Sequence, residues 1–370
     1  MSRKSITLFT GHYWGSKRKA GFHWLASALV AMGYEVLFFT APLSYLHKIK
    51  GHYQFELSVA NEKGKLIEKE QNVYSFVHFT LWHVANLRFK FFNWLSKPLF
   101  RSYQQFSFIQ AEEFIKHSSA IIFESTPGLF LFDKVKRLNP KARFIYRVSD
   151  DLRMLKVHPD LIHYEKTILN RFDLVSVPSQ YIHETLFSIE RNANIQLQYH
   201  GIDKRSFDQC YQTPYPAGST NLVFIGNNYF DHTFLEIAAG LKPEWTFHII
   251  GPIDNLPLRQ NVIAHGEVPF DQLIAYVKFA DIGLHTLKYF PGAESFTDSL
   301  KIHQYTYCKL PIIAPDFLGT HRDNMYYYEA RDKDSIGSAL NHAINCQANE
   351  IENQLVSSWT ELANALVVKL

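Results

Sequence analysis

Strand-like apolar runs alternate with helical patterns along this chain, and the alternation restarts near its middle. In the first half, apolar runs at residues 6–10 and 35–40 flank a segment in which Phe22, Leu25 and Leu29 recur at helical spacing. This order is typical of parallel strands joined by crossover helices. The chain is therefore expected to form an α/β fold with two Rossmann-like domains.

A turn-rich stretch separates the two predicted domains. Residues 209–220 include Pro214 and Pro216 and lack apolar periodicity, and a strand-like run begins again at residue 221. At 370 residues, the chain is long enough for two cores of ordinary size. We predict four segments: a first domain at 1–205, a linker at 206–220, a second domain at 221–348, and a final helix at 349–370 that packs back on the first domain.

Positive charge is concentrated in the first half of the chain. Residues 1–200 contain 26 Lys and Arg against 16 Asp and Glu, whereas the remainder contains 12 against 19. A basic half favours an anionic partner such as a phospholipid surface or a lipid diphosphate. An uneven spread of solvated charges is the simpler alternative.

An aromatic and basic region lies within this half. Residues 71–111 contain no Asp or Glu, and residues 79–108 hold ten aromatic residues with four Lys or Arg. Such a composition suits a lipid interface. We predict a helix or helix pair on an anionic membrane surface, built around Trp82, Phe89, Phe91, Phe92 and Trp94. The alternative is ordinary core or a lid over an interdomain cleft; nucleic acid is not an expected partner, because no single-strand-binding motif accompanies the rings.

Other signals favour a protein whose sites face the cytoplasm. Cys210, Cys308 and Cys346 are widely spaced and odd in number, which is typical of reduced thiols. The chain enters a strand-like run at residue 6 without the apolar region of a signal peptide, and no apolar run approaches the roughly 18 residues of a membrane span. We expect a peripheral protein whose sites face the cytoplasm.

The most specific motif lies between residues 297 and 314. A short polar loop carrying Ser299 and Lys301 opens an amphipathic segment, and a β-rich apolar run follows. A cation beside the free N–H groups of a helix N-terminus binds diphosphate well. Gly226 would let the backbone approach a nucleotide, although a plain strand-ending glycine is nearly as good an interpretation.

An acidic pair provides the candidate base. Asp150 and Asp151 follow the strand-like run at residues 143–148, and ligands of parallel α/β folds bind beyond the carboxyl ends of strands. One carboxylate there could accept the proton of an acceptor hydroxyl. The alternative is that the two acids serve only the loop or cap the following helix.

Several short landmarks, in their order, resemble the xanthan-type inverting β-glucuronosyltransferases, which are membrane-bound GT-B enzymes. The landmarks are the basic loop at 17–19, residues 147–150, residues 200–203, residues 226–231, and residues 298–301 with Gln304. The resemblance implies two Rossmann-like domains facing across a cleft. It also implies transfer of glucuronic acid from a UDP-sugar to a polyprenyl-diphosphate-linked oligosaccharide in exopolysaccharide synthesis.

The resemblance carries over to individual residues. It implies that Asp150 is the general base, with Asp151 left open, and that Lys301 meets the donor diphosphate. The predicted donor site comprises Lys301, Gln304, Ser299, Leu300, Tyr289, Asp231, Gly226 and Asn228, and other predicted cleft residues are Asp203, His12 and Lys17. From the residues alone, Asp203 is equally well a turn residue and Asp231 equally well an N-cap.

No metal or cofactor is expected besides the UDP-sugar co-substrate. The single Asp-x-Asp pair, Asp332 and Asp334, precedes a helical pattern and suits capping, and the histidines show no metal-ligand spacing. Two alternatives to a transferase remain: a UDP-sugar epimerase of GT-B-like fold, and a non-catalytic component of a polysaccharide assembly complex.

Overall fold

The computed structural model describes residues 4–16, 19–45, 47, 62–226, 229–319 and 322–368. The chain divides into two compact units, the first formed by Met1–Tyr199 with Trp359–Leu370 and the second by His200–Ser358. The boundaries predicted at 205 and 349 therefore both lie inside the second unit.

The predicted linker is part of the second unit because its side chains are buried there. Phe207 and Tyr215 belong to the apolar core of that unit, and the Tyr215 hydroxyl donates to the Tyr276 carbonyl oxygen at 2.6 Å. The outgoing and returning chain segments also run side by side, since the Ile202 N–H donates to the Ser357 carbonyl oxygen at 2.9 Å. Prolines at 214 and 216 thus mark a turn-rich but packed segment.

The first unit is built on an eight-stranded sheet. Its strands are β1 (Ser5–Thr10), β2 (Glu35–Ser44), β3 (Leu66–Glu70), β4 (Val73–Thr80), β5 (Ser118–Glu124), β6 (Arg143–Arg147), β7 (Leu174–Val177) and β8 (Ile195–Leu197). Their order is β3-β4-β2-β1-β5-β6-β7-β8, and neighbours are parallel except β3 with β4. The α-helices described in this unit are Gly21–Ala31, Lys90–Arg101, Ile109–His117, Phe132–Leu138, Pro159–Ile168, Gln180–Ile189 and Trp359–Val367.

Central strands of this sheet are covered on both faces, as their near-continuous apolar runs predict. Phe9 of β1 packs against Phe39 of β2 and Phe123 of β5, with ring centroids 4.4 and 4.5 Å apart. Many of the aromatic residues thus belong to the core. The helix Trp359–Val367 packs on the helix Gly21–Ala31.

The second unit contains a six-stranded parallel sheet. Its strands are β9 (Asn221–Ile225), β10 (Thr246–Ile250), β11 (Val262–Gly266), β12 (Ile282–Leu284), β13 (Ile312–Pro315) and β14 (Met325–Tyr328). Their order is β11-β10-β9-β12-β13-β14, the doubly wound arrangement in which the strand order reverses beside the first strand. The α-helices described here are Lys204–Asp208, His232–Leu241, Phe270–Lys278, Leu300–Tyr307 and Lys333–Ile344.

Two glycines meet where β9 and β10 end. Gly226 and Gly251 have φ angles of 155° and 133°, and a Cβ atom on Gly251 would lie 1.7 Å from the Gly226 carbonyl oxygen. We expect Gly251→Ala to lower the free energy of unfolding by about 3 kcal/mol, because the backbone must shift to admit the methyl group. Urea denaturation measures the loss.

The matched control for that prediction is Gly33→Ala. Gly33 also has a positive φ, 93°, but no atom lies within 4 Å of the position its Cβ would occupy. Its substitution carries only the conformational penalty, on the order of 1–2 kcal/mol. Equal losses in the two variants would show that the close approach of Gly226 and Gly251 is not the cause.

The aromatic region at 79–108 is divided between core and surface. Phe100, Tyr103 and Phe108 are buried in the core of the first unit. Trp82 precedes the helix Lys90–Arg101 and packs against Phe106 at 4.9 Å between ring centroids. The prediction that Trp82 forms part of a lipid-facing helix is therefore wrong.

The helix Lys90–Arg101, which we name the aromatic helix, turns its polar side inward. Asn93 and Ser96 are buried, and His158 Nε2 lies 3.0 Å from the Asn93 carbonyl oxygen and 3.3 Å from Ser96 Oγ. Because the buried side of the helix consists of Asn93, Ser96 and Phe100, most of its apolar residues are left at the surface. The exposed side chains on and beside it are Phe89, Phe91, Phe92, Trp94, Leu95 and Leu99.

None of the helices in the described ranges combines the length and the hydrophobicity that a membrane span requires.

Candidate functional site

Functional side chains predicted from the sequence lie at the carboxyl edge of the sheet in each unit, and the two groups are described separately. In the first unit, strands β1, β5 and β6 are neighbours in the sheet. Glu124 is the last residue of β5, and His12 and Asp150 lie in the loops that follow β1 and β6. Their convergence follows from the topology, because parallel neighbours end at the same edge.

Glu124 is the centre of this group. Its Oε2 accepts hydrogen bonds from the Thr10 hydroxyl at 2.5 Å and the Gly11 N–H at 3.2 Å. Its Oε1 accepts from the Ser149 hydroxyl at 2.9 Å and lies 3.5 Å from His12 Nε2. Burial disfavours the charged carboxylate, but His12 and the hydroxyl donors outweigh it and lower the pKa of Glu124.

The two adjacent acids have different environments. Asp151 is 2% exposed, and its Oδ1 lies 2.6 Å from Arg153 Nε. Arg153 also contacts Glu165 at 3.0 Å, which makes Asp151 part of a buried ion-pair network. Asp150 is solvent-exposed. Asp151 thus serves the loop, which was the alternative interpretation of the acidic pair. The carboxylate of Asp150 remains accessible.

The position of Asp150 is fixed through its backbone. Ser125 Oγ accepts from the Ser149 N–H at 3.0 Å and from the Asp150 N–H at 3.1 Å. The pKa of Asp150 is raised above the usual aspartate range, first by desolvation from the surrounding protein and then by the charge of Glu124. A carboxylate with raised pKa, open to solvent on a fixed loop, is suited to accept a proton.

In the second unit, the site lies where β9 and β12 end beside the start of the helix Leu300–Tyr307. Ser299 is the N-cap residue of this helix, and no side-chain cap bond is present there. The Ile302 N–H donates to the Ser299 carbonyl oxygen at 3.0 Å, and the Leu300 and Lys301 N–H groups ahead of it can meet an anion. Lys301 Nζ lies 4.2 Å from the centre of the Phe224 ring.

Gly226 leaves space next to Lys301. A Cβ atom at Gly226 would lie 3.6 Å from Lys301 Nζ and 3.1 Å from the Phe224 ring. Within the described ranges, no carboxylate pairs with Lys301, and desolvation lowers its pKa to about 7. A bound anion would reverse this shift, because an opposite charge favours the protonated amine.

Buried polar atoms without a hydrogen-bond partner surround this part of the second unit. Among the residues that the structure describes, they include Ser299 Oγ, His285 Nδ1 and Thr286 Oγ1. Such atoms are rare in folded proteins and costly when left unsatisfied. Their position after β12 and at the helix start indicates a place where a ligand supplies the partners.

The other residues predicted at the donor site take varied positions. Gln304 is buried on the helix that carries Lys301, and Leu300 packs partly against the core of the unit. Tyr289 is 63% exposed and contacts Phe317 edge-on. Asn228 and Lys17 lie outside the described residues. The donor-binding roles of these residues stay predictions.

Asp231 and Asp203 cap helices. Asp231 Oδ1 accepts from the Thr233 N–H at 3.0 Å and the Phe234 N–H at 3.2 Å, at the start of the helix His232–Leu241. Asp203 accepts from the Ser206 N–H at 3.3 Å and from the Ser206 hydroxyl. The capping alternative describes Asp231, Asp203 is an N-cap instead of the turn residue given as its alternative, and contact of either acid with substrate stays a prediction.

Sequence reasoning missed Glu124, Ser125, His285 and Thr286. All four stand at or just beyond the carboxyl end of a strand, which is the signal that could have found them. For metal ions, the described part of the chain contains no cluster of three or more His, Cys, Asp or Glu side chains.

Comparison with known proteins adds the family. Residues 8–178 match the model described as the N-terminal domain of the glucuronosyltransferase GumK. A UDP-glucuronate:glycolipid 2-beta-glucuronosyltransferase from Xanthomonas campestris pv. campestris is 24% identical over 368 residues, 99% of this chain and 90% of that protein. Over these residues the chain is similar to the GumK-type glucuronosyltransferases. The matched segment includes Glu124 and Asp150, and the predicted resemblance is confirmed.

Solved structures agree with the fold of this chain. An α,α-trehalose 6-phosphate synthase from Burkholderia multivorans has a TM-score of 0.61 at 10% identity, covering 100% of this chain and 96% of that one. Anabaena HepE in complex with UDP and glucose has a TM-score of 0.58 at 15% identity, covering 98% and 95%. The GT-B fold predicted from the sequence is confirmed.

Proposed function

We propose that this protein is an inverting glycosyltransferase that moves glucuronic acid from UDP-glucuronate to a lipid-linked oligosaccharide in exopolysaccharide synthesis. The observation that carries the proposal is Lys301, a desolvated amine without a carboxylate partner in the described ranges, at the open N-terminus of a helix. The name of the Xanthomonas campestris relative supports the choice of donor and of a glycolipid acceptor.

The proposed reaction is one displacement. A hydroxyl oxygen of the acceptor forms a bond to the anomeric carbon of the donor, the bond from that carbon to the UDP oxygen breaks, and the hydroxyl proton passes to the Asp150 carboxylate. Lys301 and the first N–H groups of the helix Leu300–Tyr307 stabilise the negative charge that develops on the departing diphosphate. The attack from the opposite face inverts the anomeric centre.

The aromatic helix supports a lipid-linked acceptor and a peripheral position on the cytoplasmic face of the inner membrane. Phe91 and Trp94 are 63% and 64% exposed. Arg88 and Lys90 are exposed beside them, and residues 71–111 contain no acid. Exposed rings with cations match the requirements of an anionic lipid surface. Lys97 and Arg101 instead lie 3.5 and 3.6 Å from the buried carboxylate of Asp160, which holds the helix on its unit.

Substitution of three exposed residues of the aromatic helix tests this position. We expect Phe91→Ser, Trp94→Ser and Leu95→Ser together to reduce binding to vesicles with anionic lipid by at least about 100-fold, because each ring or branched chain contributes a few kcal/mol of apolar transfer. Vesicle co-sedimentation measures the loss. The matched control is Phe187→Ser, which removes an exposed ring from the helix Gln180–Ile189 of the same unit. Unchanged binding of the triple variant would refute the lipid-facing role.

The donor is tested by a panel of UDP-sugars. A ligand that binds only the native state raises the melting temperature, and UDP-glucuronate is expected to give the largest rise. With a lipid-linked acceptor present, the same sugar should release UDP. Conversion of a free UDP-sugar to its epimer, with UDP retained, would instead support the epimerase alternative.

A further inference from the structure

We propose that Glu124 is a positioning residue: it holds the loop of Asp150 and the loop of His12 together and sets the charge around the Asp150 carboxylate. This inference rests on the proposed function, in which Asp150 accepts the proton of the acceptor hydroxyl.

The geometry begins with the position of β5 between β1 and β6. Glu124 is the last residue of β5, and its two oxygens contact residues that follow both neighbouring strands. Oε2 accepts from Thr10 and Gly11 at the end of β1, while Oε1 accepts from Ser149 beyond β6. One carboxylate thereby joins the loops that carry His12 and Asp150.

The next residue completes this connection. Ser125 Oγ accepts the N–H groups of both Ser149 and Asp150, so the loop of Asp150 is held by three hydrogen bonds from the end of β5. On the other side, the His12 N–H donates to Thr10 Oγ1 at 3.1 Å, and Thr10 donates to Glu124. The loops that carry His12 and Asp150 therefore cannot move without breaking hydrogen bonds to Glu124 or Ser125.

The charges of the group act on Asp150 in opposite directions. Glu124 is 4% exposed, and the His12 imidazole at 3.5 Å gives it a cationic partner in its protonated form. The groups that face Asp150 are Glu124 and Asp151, which raise its pKa, and His12, which lowers it. Asp151 is itself paired with Arg153 at 2.6 Å. Glu124 and His12 are thus the two groups whose removal should move the titration of Asp150.

Glu124→Gln and His12→Gln are expected to shift the pH profile of kcat/KM in opposite directions, which distinguishes this role from a purely structural one. Glu124→Gln removes a negative charge, so the pKa of Asp150 falls and the acid limb of kcat/KM moves to lower pH. His12→Gln removes a positive charge, so the pKa of Asp150 rises and the acid limb moves to higher pH. A purely structural role would lower the rate in both variants and leave the limb in place.

The experiment is UDP release with UDP-glucuronate and a lipid-linked acceptor, measured between pH 4 and 9 for the whole protein. We expect Glu124→Gln to lose about 100-fold in kcat/KM, since a misplaced base costs that order of rate. We expect His12→Gln to lose less, because its side chain is half-exposed and the backbone bond of residue 12 remains. Glu113→Gln, which removes an exposed carboxylate paired with Lys116 in the same unit, is the matched control and should leave the profile unchanged.

Three outcomes decide the proposal. Opposite shifts of the acid limb support it. Shifts in the same direction, or unmoved limbs in both variants, overturn it. If Glu124→Gln does not fold, His12→Gln is measured alone. An acid limb of kcat/KM that does not move in His12→Gln contradicts the proposed effect of these charges on Asp150. Full activity of Asp150→Asn would instead overturn the assignment of Asp150 as the base in the proposed function, which keeps the two failures distinguishable.

Discussion

Asp150→Asn is expected to lower kcat by about 1000-fold, the order that general-base catalysis contributes. The amide occupies the same volume and keeps the backbone bond of residue 150 to Ser125, so the loop should be preserved. Only the ability to accept a proton is lost. Binding of UDP to the second unit should not change, and steady-state UDP release together with calorimetric binding of UDP measures both quantities.

Asp151→Asn provides the contrast for that prediction. Asp151 is buried and paired with Arg153, so its substitution should lower stability, by about 3 kcal/mol for breaking a buried pair. We expect the folded fraction of Asp151→Asn to retain most of its kcat. Loss of catalysis in Asp151→Asn with full activity in Asp150→Asn would exchange the two roles and contradict the assignment of the base.

Lys301→Met is expected to weaken UDP binding by about 100-fold, in line with the loss of a charge-assisted contact to phosphate. Methionine preserves the apolar contact with the Phe224 ring and removes the charge. Isothermal titration of UDP into both proteins measures the difference. Lys333→Met, at an exposed position of the second unit, is the control and should bind UDP normally.

Lys301 also gives UDP binding a pH dependence with a defined sign. The pKa of its amine is about 7 before binding, because desolvation favours the neutral form. A diphosphate raises that pKa, so affinity is greatest below pH 7 and falls as pH rises above it. The fall should be absent from Lys301→Met. An affinity in the wild-type protein that does not change between pH 6 and 9 would contradict contact between the amine and the diphosphate.

The strands and the two key polar loops could be predicted from the sequence because their signals are local. Apolar runs at residues 6–10 and 143–148 correspond to β1 and β6. Asp150 follows a strand and Lys301 lies at the start of a helix, as their surroundings indicate. A residue directly after a strand of a parallel sheet lies at the carboxyl edge of that sheet. Its position can therefore be predicted from the sequence without knowledge of distant contacts.

Glu124 could not be found in the same way because its role depends on three strands at once. In sequence, it is one acid ending an apolar run, while Thr10 and Ser149 are 114 and 25 residues away. The inward polar side of the aromatic helix was likewise hidden, since its anchor, His158, lies 62 and 65 residues beyond Ser96 and Asn93. Periodicity alone assigns an apolar face to the core, and here tertiary hydrogen bonds reverse the assignment.

We expect transfer to require both the Asp150 carboxylate and the Lys301 amine. The most direct test is the product formed from UDP-glucuronate and a lipid-linked oligosaccharide, with its new linkage determined by nuclear magnetic resonance. The account predicts a β-linked glucuronic acid and one UDP released for each linkage, with both lost in Asp150→Asn and in Lys301→Met. An α-linked product, or undiminished formation of the β-linked product by either variant, would contradict it.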